Sequence, residues 1–287
     1  MSFKTEHLFL PSPLKTFSLY TQNEEFTHMG KEGRGLYRSN CRKLGTVLYS
    51  FLTESRSTIR NPLLEQKQKR KSLREQLESI LADCETRVIS KNLSLKDYLH
   101  IYLTERSIKF ASYKLLSLSW PSHLRPFCLF LHTVSNLNQN RLLISSGLNS
   151  QNKILLPIQN GITLSSSWIN REQSGPYLVL ASALMDERKE IYFQDAFAIP
   201  VLSRDELLPV ESNFERSIAK TILSVVREFQ YPIEIEKPLF CLYTSEKQKY
   251  RPDFILTMAK KEKSLSRSWG APMMITSGIK RPFRKWL

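Results

Sequence analysis

The apolar residues of this chain change their spacing twice, and that change restricts the fold more than any other feature of the sequence. Leu44, Val47, Leu48, Phe51 and Leu52 recur every three or four positions, the period of a helix with one buried face. Asn61-Pro62 then breaks the chain. The same spacing returns at Leu73, Leu77, Ile80 and Leu81, predicting a second helix over residues 63–88. A third, over 95–110, is signalled by Ser94 with Asp97 three residues later. After Trp120-Pro121 the helical period is gone. Residues 127–134, 141–146, 154–158, 162–166, 177–184 and 190–200 are β-rich runs divided by Asn, Gly, Ser and Pro, an antiparallel sheet in outline, and Asn160-Gly161 predicts a hairpin between two of them. From Leu202 onward helix and strand patterns alternate, so a boundary is expected at 202–209.

The expected fold class is therefore α+β. Residues 1–36 read as a poorly ordered arm, 37–120 as a helical region, 121–203 as an antiparallel β-rich region, 204–265 as a small α/β unit and 266–287 as a basic tail. A chain of 287 residues with 41% hydrophobic content can bury real cores. No apolar run reaches the roughly 18 residues of a membrane span, and Lys4, Glu6 and His7 interrupt the start, so the cytoplasm is the expected location and no membrane partner is expected. Cys41, Cys84, Cys128 and Cys241 are too scattered for zinc and read as reduced, packed thiols. The five histidines form no metalloprotease pair, and Gly30, Gly33 and Gly35 lack the strand before and the Lys-Ser/Thr after that a phosphate loop needs, so no small-molecule cofactor is expected.

A net charge of +15 favours a polyanionic partner, most simply nucleic acid, because neutralising phosphates releases counterions. Lys67, Lys69, Arg70, Lys71 and Arg74 crowd the first half of the second expected helix, either as a nucleic-acid-binding face or as a solvated one. The tail from Lys260 to Leu287 holds eight basic residues against one acid, supplying +7 of the +15.

Chemistry concentrates after residue 210. Phe214, Ile218, Ile222, Val225 and Val226 predict a helix; residues 237–243 read as a strand, 244–249 as a polar turn and 250–256 as a second strand. Glu215 lies in the first turn of that helix and Asp253 follows Pro252 in the second strand. Each has an ordinary reading: Ser212 with Glu215 is also a capping box, and proline is tolerated at a strand's first position.

This order and these residues resemble the PD-(D/E)XK, or restriction-endonuclease-like, nuclease superfamily. By position, Glu215 matches its helix acid, with Glu211 as a second candidate, and Pro252-Asp253 its strand acid. The resemblance implies catalytic and metal-binding roles for Glu215 and Asp253, and Mg²⁺ as cofactor, since such a cation is held by one or two carboxylates plus substrate phosphate and activates water. More locally, Pro209-Val-Glu-Ser-Asn-Phe-Glu215 and the basic helical region before it resemble an uncharacterised bacterial family carried on conjugative plasmids and integrating elements, whose members run longer at the C-terminus.

The superfamily's third element, a strand with Glu-x-Lys, has no match after Leu256, so the restriction-endonuclease-like core reads as incomplete. Residues 266–287 show neither strand alternation nor helical period. Codons can be chosen for residues 265–269 so that reading one base earlier gives Val-Glu-Val-Met-Gly, so the tail reads as truncated or translated from a shifted frame. Two functions follow as expectations: a nuclease relative that is catalytically incomplete, or a non-catalytic DNA-binding or assembly protein of a mobile element.

Overall fold

The computed structural model describes residues 33–67, 71–85, 87–90, 93–117, 120, 125–137, 141–145, 153–165, 174–243 and 249–258. The arm before residue 33 and the tail after 258 lie outside them, with Lys69 and Arg70.

The first helical stripe forms as its spacing predicts. Helix α1 (Gly33–Glu54) buries Leu44, Val47, Leu48, Phe51 and Leu52 completely or nearly so. It lies so close to the sheet that a Cβ on Gly45 would sit 2.8 Å from the Phe197 ring. A short strand, β1 (Ile59–Arg60), follows, and then Asn61-Pro62 opens a helix as well as closing the previous segment. Asn61 Oδ1 accepts from the Leu64 amide at 3.2 Å, and proline suits a first helical position because its missing N–H has no partner there anyway.

The single helix expected over 63–88 is two, α2 (Pro62–Lys67) and α3 (Leu73–Asp83). Ser72 decides this. Its backbone is extended, its hydroxyl accepts from the Glu75 amide at 3.3 Å, and the Glu75 carboxylate accepts from the Ser72 amide at 2.6 Å. That reciprocal cap starts a helix and cannot sit inside one. The basic run is therefore split: Lys71 precedes the cap and Arg74 rides on α3.

Next come the strands β2 (Val88–Ser90) and β3 (Leu93–Ser94), paired with each other. The helix expected over 95–110 is also replaced, by α4 (Leu95–Tyr98), β4 (Leu99–Ile101) and α5 (Glu105–Ser117). Here tertiary pairing overrides local pattern. Leu99–Ile101 joins Leu129–Leu131 in parallel register, and Tyr102, at φ 77°, donates its amide to Leu131.

The central sheet is built from β5 (Phe127–Val134), β9 (Tyr177–Met185) and β10 (Ile191–Ser203), all antiparallel and almost wholly buried, as the β-rich runs predict. Its outer members β4 and β8 (Ile162–Leu164) run parallel to β5 and β10, so the sheet is mixed rather than purely antiparallel. The strands β6 (Arg141–Ser145) and β7 (Lys153–Pro157) form a separate ribbon. The Asn-Gly turn exists, with Gly161 at φ 81°, but β7 and β8 do not pair across it. The amides of Gln159 and Asn160 donate to Phe193 and Gln194, stitching the turn to β10 instead.

At the expected boundary the chain makes a hairpin of β10 and β11 (Glu206–Pro209). Alternate residues of this hairpin serve two cores: Val201 and Leu207 belong to the large core under α1, whereas Leu202, Leu208 and Val210 belong to a small one with Ala219, Leu223 and Ile235. Period-two side-chain alternation makes one hairpin the shared wall of both cores.

The small core is covered by α6 (Asn213–Glu228) and a three-stranded antiparallel sheet in the order β1, β12 (Ile233–Glu236), β15 (Ile255–Met258). A strand from the N-terminal region thus sits in the C-terminal sheet. The strand expected over 237–243 lies earlier, at β12, because Pro238 offers no amide to a ladder. Two residue pairs, β13 (Leu242–Tyr243) and β14 (Lys249–Tyr250), flank the polar turn. The strand expected over 250–256 begins only at Ile255, leaving Asp253 in the bend before it.

Candidate functional site

The face of α6 that turns inward differs from the apolar stripe read from sequence. Phe214 is 74% exposed and Val225 39%, while Glu215, Arg216, Ala219, Leu223 and Val226 are buried. Two charged residues displace a phenylalanine because each meets full polar partners inside. Arg216 donates to the Val201 carbonyl at 3.1 Å, the Ser174 carbonyl at 2.8 Å and Asn213 Oδ1 at 2.6 Å, tying α6 to β10.

Glu215 is placed by the start of the helix. Ser212 Oγ accepts from the Glu215 amide at 3.1 Å, so the capping expectation holds for that half. The carboxylate reaches back one residue further than a capping box requires, accepting from the Glu211 amide at 2.9 Å. Lys237, the residue after β12, brings Nζ to 2.9 Å from the same carboxylate oxygen and 3.9 Å from Glu211 Oε1. Lys237 is only 1% exposed and its ammonium lies 5.5 Å from the Phe254 ring centroid. Arg251, just before Pro252, binds Glu211 Oε1 at 2.6 Å.

These groups form one network at the seam between the two cores. Helix α1 contributes Tyr49, whose phenol is held above its usual range by burial, with the Glu211 carboxylate adding to the effect and Arg251 and Ser165 opposing it. Tyr49 also meets Phe197 of the large core and Phe240 edge-on, with ring centroids 5.8 and 6.2 Å away. Two carboxylates balance two cations, so the cost of burying Lys237 and Glu215 is offset by attraction and hydrogen bonding in a low-dielectric site.

Asp253 takes no part in this network. It is exposed, in the bend before β15, and makes no ion pair among the described residues; Phe254 beside it turns in against Lys237. Lys67 ends α2, Lys71 is exposed before the Ser72 cap, and exposed Arg74 is held by Glu78 at 2.7 Å across one helical turn. Cys84 and Cys128 are free and buried, which raises both thiols, Cys84 to about 12, in keeping with packed, unreactive cysteines. His100 on β4 and His132 on β5 are pushed down to about 4 by burial.

The residues at Glu215 do not fit a divalent cation as they stand. Glu215 Oε2 accepts from the Lys237 ammonium, and exposed Asp253 does not join it, so the two expected carboxylates do not gather around one cation position. Sequence reading missed Lys237, Arg251 and Tyr49. A signal existed for Lys237: it opens directly onto the apolar Pro-Leu-Phe-Cys-Leu run, where a lysine drawn inside needs a buried partner. No local pattern marks Tyr49, which shares its helix with the core stripe.

Comparison with known families gives two matches. A model described as "Domain of unknown function (DUF8535)" matches residues 20–201, more than half of the chain. A model described as "Restriction endonuclease-like C-terminal domain" matches residues 211–274, and this segment is related to nucleases of that kind. No curated protein and no solved structure matches the chain.

Proposed function

This chain belongs to the DUF8535 family, and we propose that it is a nucleic-acid-binding relative of Mg²⁺-dependent nucleases that binds without cleaving. The observation that carries this reading is the Glu215–Lys237 pair: the helix acid of the nuclease-related segment is neutralised internally, while the strand acid, Asp253, stands apart from it in solvent. Glu215 and Asp253 would be the ancestral metal ligands, Glu215 now holding the fold together. Residues before Lys260 still carry +8 of the net charge of +15, and that excess supplies the electrostatic attraction to phosphate. The superfamily's third element would lie beyond residue 258, outside the described residues; the nuclease-related match runs to residue 274, nine residues into the stretch 266–287 that we read as a shifted frame, and a setting on a conjugative plasmid or integrating element accords with the resemblance of residues 209–215. No helix among the described residues is long and apolar enough to cross a membrane.

The test uses supercoiled plasmid and labelled oligonucleotides with Mg²⁺ or a chelator. Expected are salt-sensitive binding, unchanged by Asp253→Ala, and no cleavage. Mg²⁺-dependent nicking that Asp253→Ala abolishes would overturn the non-catalytic reading. DNA sequence through codon 265 tests the frame separately: a stop within a few codons of the alternative frame refutes it.

A further inference from the structure

A cavity of about 200 Å³ opens on the other side of β12 from β15, lined among others by Arg56, Arg60, Asn61, Lys71 and Gln76. Its cations come from separate segments: Arg56 from the turn after α1, Arg60 from β1, and Lys71 from just before the α3 cap. Two are preorganised. The Arg60 guanidinium, with its side chain only 12% exposed, donates to Gln76 Oε1 at 2.6 Å and lies 4.0 Å from Glu65. Gln76 is itself fixed, since its Oε1 also accepts from the Leu207 amide at 3.2 Å and its Nε2 donates to the carbonyls of Asp205 at 2.7 Å and Lys71 at 3.2 Å. That last bond holds the backbone that carries the Lys71 ammonium.

Arg56 is the third. It occupies the left-handed region at φ 56°, where a non-glycine residue is uncommon and strained conformations gather at functional sites. The counter-charges do not cancel the set. Glu65, the carboxylate in the cavity wall, is shared between Arg60 and Arg227, the latter at 3.5 Å, and Arg56 also feels Glu236 on β12. Side-chain hydroxyls of Ser55 and Ser57, 2.8 Å apart, complete a wall of donors. Guanidinium forks and hydroxyls around a small cavity suit the tetrahedral oxygens of a phosphate.

We propose that this cavity binds a backbone phosphate of nucleic acid, with Arg60 as its fixed floor and Arg56 and Lys71 closing on the anion. The inference rests on the nucleic-acid reading above and adds a surface to it: β1 carries the cavity into the same sheet as the nuclease-related segment, so a nucleic-acid strand seated here lies at the β1 edge of that sheet. Of the basic run read from sequence, among the side chains described, Lys71 has the cavity contact, whereas Arg74 is engaged by Glu78.

The experiment measures binding of a 20-nucleotide labelled DNA by anisotropy over a salt series for the full chain, Arg56→Ala, Lys71→Ala, their double variant and Arg74→Ala, with calorimetry of inorganic phosphate in parallel. Each cavity variant is expected to weaken DNA binding roughly tenfold, the worth of a charged hydrogen bond, and to flatten the log–log salt dependence by about one. Arg74→Ala should change little. Because Arg56 and Lys71 are exposed, unaltered circular dichroism is expected for both. Equal losses at Arg74 and the cavity positions, or wild-type affinity and slope in the double variant, would overturn the cavity. Should the wild type bind inorganic phosphate through Arg56 and Lys71 but no oligonucleotide, the nucleic-acid source is refuted and a free-anion site stands; binding of neither refutes both.

Discussion

Replacing Lys237 by methionine keeps most of the side-chain volume and removes one charge. In the wild type the ammonium is 2.9 Å from Glu215 Oε2, on a lysine 1% exposed, and Glu215 is 8% exposed. The variant leaves Glu215 with the Glu211 amide but no cation, while Glu211 keeps Arg251. Breaking a buried pair from one side costs about 3–5 kcal/mol, mostly the desolvation of the stranded charge. At this chain length that loss lowers the thermal midpoint by roughly 10 °C. Glu215→Gln strands the lysine instead, but Glu211 at 3.9 Å still faces it, so a smaller loss is expected. The double variant Lys237→Met with Glu215→Gln removes both charges, and replacing a buried pair by neutral groups is often nearly free, so its stability should return to within about 1–2 kcal/mol of wild type. Urea unfolding of the four proteins closes the cycle. A coupling energy of about 2–3 kcal/mol is expected. If Lys237→Met costs less than about 1 kcal/mol, the value of an exposed pair, or if the two losses simply add, the buried network is not what holds α6 to β12.

Two further expectations concern the cores. His100 and His132 are pushed from 6.5 to about 4 by burial, with Lys114 adding to the effect on His100. Each binds its proton less readily folded than unfolded, so stability is full above pH 6.5 and falls as pH drops from 6.5 toward 4, by on the order of 3 kcal/mol per group; His132→Leu should flatten that slope in urea titrations at pH 7 and pH 5, and an unchanged slope would show His132 to be solvated. Arg216→Met strands the carbonyls of Val201 and Ser174 and should lower stability by about 2–4 kcal/mol in the same assay, whereas a loss within error would mean that water satisfies them.

The sequence by itself determined those features that depend on neighbours along the chain. The α1 stripe, the Ser212 cap, the three long central strands and the α+β succession all follow from side-chain period, capping chemistry and breakers that act over a few residues. The restriction-endonuclease-like relation of the last segment was also legible, because Glu215 and Pro252-Asp253 keep their order around a helix and strand. Tertiary structure decided the rest. Leu99–Ile101 became a strand because β5 offered a parallel edge, and Ile59–Arg60 entered the C-terminal sheet because β12 offered an antiparallel one. Such pairings join residues far apart in the chain, so no local pattern specifies them. The fate of Glu215 was settled the same way. Its carboxylate is an acid at a helix start in the sequence, but its partner Lys237 lies 22 positions on and reaches it only when α6 folds over β12. Burial then forces charge compensation, and the acid that resembles a metal ligand pairs with a lysine.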